Sequence, residues 1–367
     1  MAIVNFEKNS PVTAKDFVMN EKEAQAMSEF IFERVITESI DRVNPVHTGI
    51  KMKTQIPFAS KIGLSGVAAS TSSCERQASG AGLTFSEKQW EPKGIEDVFT
   101  FCIKDNSSAM AMFKPYMDKI KSYKDIYEGY NGSDLGLFVA ARIEESLNQA
   151  IFRAIWMGDT TIAQYGGSPA VAGLASSGDV KFFNYFDGIL KQINDGITAG
   201  DITAQTLTFS DGSLVTGAEA NTAITKVWQN ASPILRASQD AVFYVSGAIF
   251  AGLQLYLAQT QTNFSLNYLE NGVPTIKFLG HDVIDMSFVW DYNYINYFKS
   301  ATGSTYNPRQ ILFTEKGNVP AGTTSISDLT ELESWYNQDA RVSKVAFGMN
   351  LDAKLLDESL VSYGIEG

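Results

Sequence analysis

Two cysteines and two histidines are all that 367 residues provide of the side chains most often used for metal binding and nucleophilic catalysis. Cys74 lies in a small-residue loop and Cys102 inside an apparent strand, too few for a disulfide framework and wrongly spaced for a zinc site. That usage fits a reducing cytosol. With only His47 and His281, an HExxH helix, a three-histidine site and the paired Glu-x-x-His motifs of di-iron bundles are excluded. Either histidine, beside turn-like sequence, reads as a turn or surface residue. No G-x-S-x-G elbow presents a serine, no G-x-x-x-x-G-K-[ST] loop cradles phosphate, and GAGLTF from Gly80 lacks the third glycine of a dinucleotide fingerprint.

Long apolar runs are missing too. No stretch approaches the roughly 20 apolar residues that span a bilayer, and the start MAIVNFEKNSPVTAKDF has no basic region followed by an apolar one. Excess positive charge is absent: the net charge is -12, with Lys and Arg scattered, which argues against a dedicated nucleic-acid face. No period of 20 to 50 residues recurs, so a solenoid or propeller is not supported. What remains is a chain that is 44% hydrophobic, enough for two or three packed units.

Residues 1–49 read as an N-terminal arm holding one helix, with Met27, Phe30, Ile31, Val35 and Ile40 at helical spacing before Pro45. Residues 50–105 read as a long two-stranded excursion around a Gly-, Ala- and Ser-rich tip. Phe58, Ile62, Leu64, Phe85 and Trp90 need a covering surface, because a two-stranded ribbon alone has no second layer. That cover could be the chain's own body or something else. The stretch Asp134 to Asp159 predicts a helix over 134–157, opened by Gly132, Ser133 and Asp134 and ended by Gly158.

Along that helix Leu135, Val139, Ile143, Leu147, Ala150, Ile151 and Ala154 form one apolar stripe. Glu144 and Glu145 diverge by about 100° as sequence neighbours, whereas an acid–base pair must converge. The helix is a beam, not a catalytic dyad. Residues 180–305 predict a mixed α/β unit: an apolar helix in FFNYFDGILKQINDGI, a buried strand at Ala241 to Val245, a following helix capped by Ser246, and two strands turning at Gly280. The tyrosines of DYNYINYF read as packing or subunit contact, since no basic residues interleave them.

The order of these parts resembles a tailed-bacteriophage major capsid protein over about residues 20 to 364. The resemblance rests on Trp156-Met157-Gly158-Asp159 closing the long helix, on Phe186-Asp187-Gly188-Ile189, and on Phe278-Leu279-Gly280-His281-Asp282-Val283, similar to the family's apolar-Gly-x-x-Val pattern. It implies an α+β fold of the kind shared by tailed-phage and herpesvirus shells and encapsulins. The arm would be 1–49, the extended loop 50–105, the peripheral domain 106–179 with 306–367 and spine helix 134–157, and the axial domain 180–305.

The resemblance further implies a non-enzymatic virion protein, assembled in the bacterial host cytoplasm into pentamers and hexamers of an icosahedral shell around double-stranded DNA. It implies no cofactor or metal. Phe58, Ile62, Leu64, Phe85 and Trp90 would contact a neighbouring subunit, and Leu135, Val139, Ile143, Leu147 and Ile151 would pack the spine helix. Further partners would be scaffolding, portal and decoration proteins, with DNA touched weakly and without sequence specificity, and no membrane. About 50 residues before the loop are too few for a fused scaffolding segment, so a separate scaffold or none is expected. An encapsulin-type compartment is the nearest rival. From another class, a β-rich carbohydrate-active enzyme or glycan-binding module would use Trp90, Trp290 and the tyrosines.

Overall fold

The computed structural model describes residues 52–54, 58–64, 83–102, 149–166, 172–210, 215–260, 267–268, 274–300, 302–323, 331–337 and 342–367. In chain order come β1 (Met52–Thr54), β2 (Phe58–Leu64), β3 (Leu83–Gln89) and β4 (Lys93–Cys102), then a helix over 149–157, α1. β5 (Gly173–Leu174), α2 (Ile189–Ala199), β6 (Ala204–Leu207), α3 (Gly217–Asn230), α4 (Pro233–Ala237) and β7 (Ala241–Val245) follow. The remainder is α5 (Gly247–Thr260), β8 (Asn267–Tyr268), β9 (Pro274–Phe278), β10 (His281–Asp285), α6 (Trp290–Tyr297), β11 (Phe298–Lys299), β12 (Gln310–Glu315), β13 (Ala321–Thr323), β14 (Glu331–Asn337), β15 (Val342–Ala353) and β16 (Val361–Glu366).

The largest layer is a mixed sheet of seven strands in the order β6-β16-β12-β7-β10-β9-β8. Its central strands are buried on both faces, β7 at every position and β12 at all but its last, as a sheet covered on both sides requires. Alternation sorts the side chains. Val242, Tyr244, Ile284, Leu312 and Tyr363 join one core with α1, α2 and α6 through Ile151, Trp156, Ile189, Ile193 and Trp290. Ala241, Phe243, Val245, Val283, Ile311 and Phe313 join the other with α3 and α5 through Ile224, Val227, Ile249 and Leu253. Helices on both faces of one sheet bury two cores at once, which explains why the run Ala241-Val-Phe-Tyr-Val has no polar position.

The helix ends carry local signals. Thr216 and Glu219 form a reciprocal capping box at the start of α3. Glu219 also accepts from the side chain and backbone of Ser210, and these hydrogen bonds with those from Thr216 lower its carboxyl to about 2. At α5 the expected cap differs. The Ser246 hydroxyl accepts from the Gln310 backbone N–H at 3.3 Å, while the Gly247 N–H goes to Asp291 Oδ2 at 2.8 Å. A carboxylate 44 residues away thus takes the role expected of a neighbouring serine. That cap stands on the first turn of α6 and is fixed by how the two helices meet.

A smaller sheet contains β1-β13-β15-β14 with β4 also on β15. Two expected boundaries change with these pairings. The expected break at residue 305 falls within one sheet, because β12 and β16, from the segment expected to lie on the other side of it, sit beside β6 and β7. The excursion 50–105 is two things: β2 and β3 form the hairpin, whereas β4 pairs with β15 from Lys93↔Leu351 to Cys102↔Val342. Non-local pairing decides both cases, and no local pattern reports it. The arm 1–49 and the start of the helix at 134 lie outside the described residues.

Candidate functional site

The root of the hairpin is tied by strand pairing, aromatic packing and buried polar contacts together. β2 and β3 pair from Phe58↔Gln89 to Leu64↔Leu83, and among the described strands they pair only with each other. Both legs return to the same spot. β1, just before the hairpin, runs parallel to β13 with Lys53 beside Gly322, and Trp90, just after it, lies on Gly322. A Cβ built on Gly322 would stand 3.1 Å from the Trp90 ring, so glycine is what lets the indole settle there.

Polar groups complete the root. Asp352, 1% exposed, accepts from the Glu91 N–H at 2.8 Å with one oxygen and from the Ala353 N–H at 2.8 Å with the other. Lys354 Nζ lies 3.3 Å from the same carboxylate, which supplies the opposite charge that a buried aspartate needs. At the end of β3, Lys88 donates to the Leu355 carbonyl at 2.6 Å and pairs with Glu358.

The tie continues into the body. Gln192 on α2 donates to the carbonyls of Asp187 and Ala353 at 2.7 and 2.8 Å and accepts from the Leu355 N–H at 2.8 Å. Just before α2, the chain crosses the end of α1. Gly188 N–H donates to the Gly158 carbonyl at 2.9 Å, and a Cβ on Gly158 would meet the Phe186 carbonyl at 2.4 Å. Asp187 Oδ1 accepts from the Thr160 N–H and hydroxyl at 2.9 and 2.8 Å. Two sequence signatures, Trp156 to Asp159 and Phe186 to Ile189, therefore meet as one backbone crossing. Gly158 serves this close approach; its φ is not among the positive values, so it is not the left-handed cap the sequence suggested.

The expected site residues divide unevenly. Trp90 is 7% exposed within its own chain, its ring packed against Gly322. The side chains of Phe58, Ile62, Leu64 and Phe85 lie outside the described part. Ile151 packs in the first core, while Leu135, Val139, Ile143 and Leu147, with Glu144 and Glu145, lie outside the described residues. His47 does too. His281 is buried, its Nδ1 3.2 Å from the Ala241 carbonyl and its ring edge-on to Phe313, so it is no surface residue. Of the tyrosine cluster, Tyr294 is buried in the core and Tyr292 is exposed.

Sequence reading missed Asp352, Gln192 and Lys88. The one available signal was an aspartate standing among the apolar residues of Asn350-Leu-Asp-Ala-Lys-Leu-Leu. Elsewhere, burial pushes the Asp291 carboxyl up to about 6, the Gly247 N–H opposing and nearby Asp285 adding to the rise. Among the described residues no three His, Cys, Asp or Glu side chains gather to hold a metal ion, and no helix is long and apolar enough to cross a membrane.

Helices and sheets mix among the described residues, and the solved structures similar to this chain include a procapsid, capsids and an encapsulin complex. A chain from the satellite phage P4 procapsid is 14% identical, with 90% of this chain and 98% of that one covered and a TM-score of 0.46. Gordonia phage Cozz gives 10% identity, 87% and 84% coverage and a TM-score of 0.48. The SrpI encapsulin complex of Synechococcus elongatus gives 10%, 88% and 86%, and 0.40. No family model and no curated protein matches the chain.

Proposed function

We propose that this chain is the major capsid protein of a tailed bacteriophage, its copies closing into pentamers and hexamers of an icosahedral shell around double-stranded DNA. The observation that carries the reading is the hairpin of β2 and β3, paired only with itself among the described strands and rooted on both legs at β13. A two-stranded ribbon is at best marginal in water. A root this firmly tied therefore holds out an element whose cover comes from elsewhere, and an adjacent copy supplies it at every position of a closed shell.

The remaining parts take their places in the same reading. The helix over 134–157 is the spine of a peripheral unit with the small sheet, and 180–305 together with β12 and β16 is the axial unit. Assembly takes place in the host cytoplasm, with scaffolding, portal and decoration proteins as further partners. The -12 charge keeps contact with packaged DNA loose and non-specific.

The test is electron microscopy and sedimentation of the purified full-length chain near neutral pH, alone and with candidate scaffold protein, beside a variant lacking residues 65–82. Shells, tubes or free pentamers and hexamers are expected from the full chain, and no closed particles from the deletion. A full-length chain that stays monomeric under all these conditions refutes the proposal. Particles that carry a protein cargo and no nucleic acid point to the encapsulin compartment instead.

A further inference from the structure

Leu279 sits badly in its own backbone. Leu279 and Gly280 make the two-residue loop between β9 and β10, closed by the pairing of Phe278 with His281, and their φ values are 49° and 90°. Two successive positive values belong to the mirror-image hairpin turn, which favours Asn, Asp or Gly at its first position because other side chains crowd the following carbonyl. Gly280 obeys that preference. Leu279 is the one non-glycine with positive φ among the described residues, and it is 61% exposed. It neither suits the turn nor gains from burial, so the stability of a single chain gives no reason for a leucine there.

The surroundings are of one kind. β7 and β10 run parallel and start side by side, with the His281 ring on the Ala241 carbonyl. The segment leading into β7 carries Ile234, and Ile234 and Leu279, 73% and 61% exposed, are the two most exposed large apolar side chains of the described structure. Next to the turn two lysines face one carboxylate: Lys277 and Lys316 share Asp282 at 3.1 and 4.0 Å, which leaves one positive charge over. In a chain of net charge -12, most surfaces of two copies repel, and a self-contact costs least where one copy offers a surplus positive charge to the other.

We propose that the Leu279–Gly280 turn is a contact between copies of this chain, with Leu279 burying against a neighbouring copy when the shell forms. The inference rests on the shell reading above and names one of its contacts. The leucine is then kept at the expense of the isolated chain because its burial is realised only in the assembly.

This gives the test an unusual sign. Leu279→Asn should raise the melting temperature of the unassembled full-length chain by about 2 °C, since the turn strain is relieved. The same variant should raise the subunit concentration at half-assembly about tenfold, since an apolar contact is lost. Leu279→Met, which keeps an apolar side chain, should assemble near the wild-type concentration. A wild-type chain that assembles while Leu279→Asn assembles at the same concentration overturns this inference and leaves the shell reading standing. A Leu279→Asn chain that melts lower than wild type also overturns it, because the leucine then serves the fold. Failure of the wild-type chain to assemble at all removes both.

Discussion

Asp291 shows how a single buried carboxylate ties stability to pH. Its folded value of about 6 stands above the ordinary 3.8, so the folded chain binds the proton more tightly than the unfolded one. Stability from this group is therefore fully present below about pH 3.8 and is lost as pH rises through about 6. Comparing denaturant unfolding of the unassembled wild type and Asp291→Asn at pH 5 and 7 checks it. The wild type should gain on the variant as pH falls; parallel behaviour at the two pH values would dismiss the effect. At the same scale, Gly188→Ala places a Cβ within 2.7 Å of the Ile155 carbonyl and 2.8 Å of the Gly158 nitrogen. Backbone cannot step aside as a side-chain end can, so a loss of about 3 kcal/mol is expected from the shift of its urea midpoint.

Among the elements, those whose signal was local were legible. The β9–β10 hairpin turned where Gly280 suggested, and Ala241 to Val245 is a strand because an unbroken apolar run between turn residues has few other uses. What could not be read was return. β12 and β16 come back over long stretches of chain to sit in the large sheet, and their own sequences carry only the apolar character of a strand, not the identity of its neighbours. The cover of Trp90 was equally illegible: nothing beside it in sequence points to Gly322, far along the chain, against which its ring packs. The root of the hairpin offers its own check. Asp352→Ala leaves the Glu91 N–H without its acceptor and Lys354 without its carboxylate, at a local cost of about 1–3 kcal/mol. Amide hydrogen exchange in β2 and β3 should accelerate while that of β7 and β12 stays as it was. Equal exchange in the hairpin of both chains would mean that Asp352 does not hold it.

For the molecule as a whole, charge sets the condition for association. Copies carrying -12 each repel at long range, and the Debye length shrinks from about 10 Å at 0.1 M salt to about 3 Å at 1 M. Contacts of the kind proposed for the hairpin and for Leu279 are apolar and survive screening. Light scattering should therefore detect assembly at lower subunit concentration as sodium chloride rises over that range. Inhibition by salt would instead mean that ion pairs between copies hold the particle together.

The place of β16 has a consequence in time. It lies between β6 and β12, so the hydrogen-bonding edges of both stay open until residues 361–366 have left the ribosome. A growing polypeptide tethered to its messenger cannot complete its largest layer early. Until then each bare edge is a template on which a strand of another chain can pair, and the arrival of residues 361–366 closes both at once.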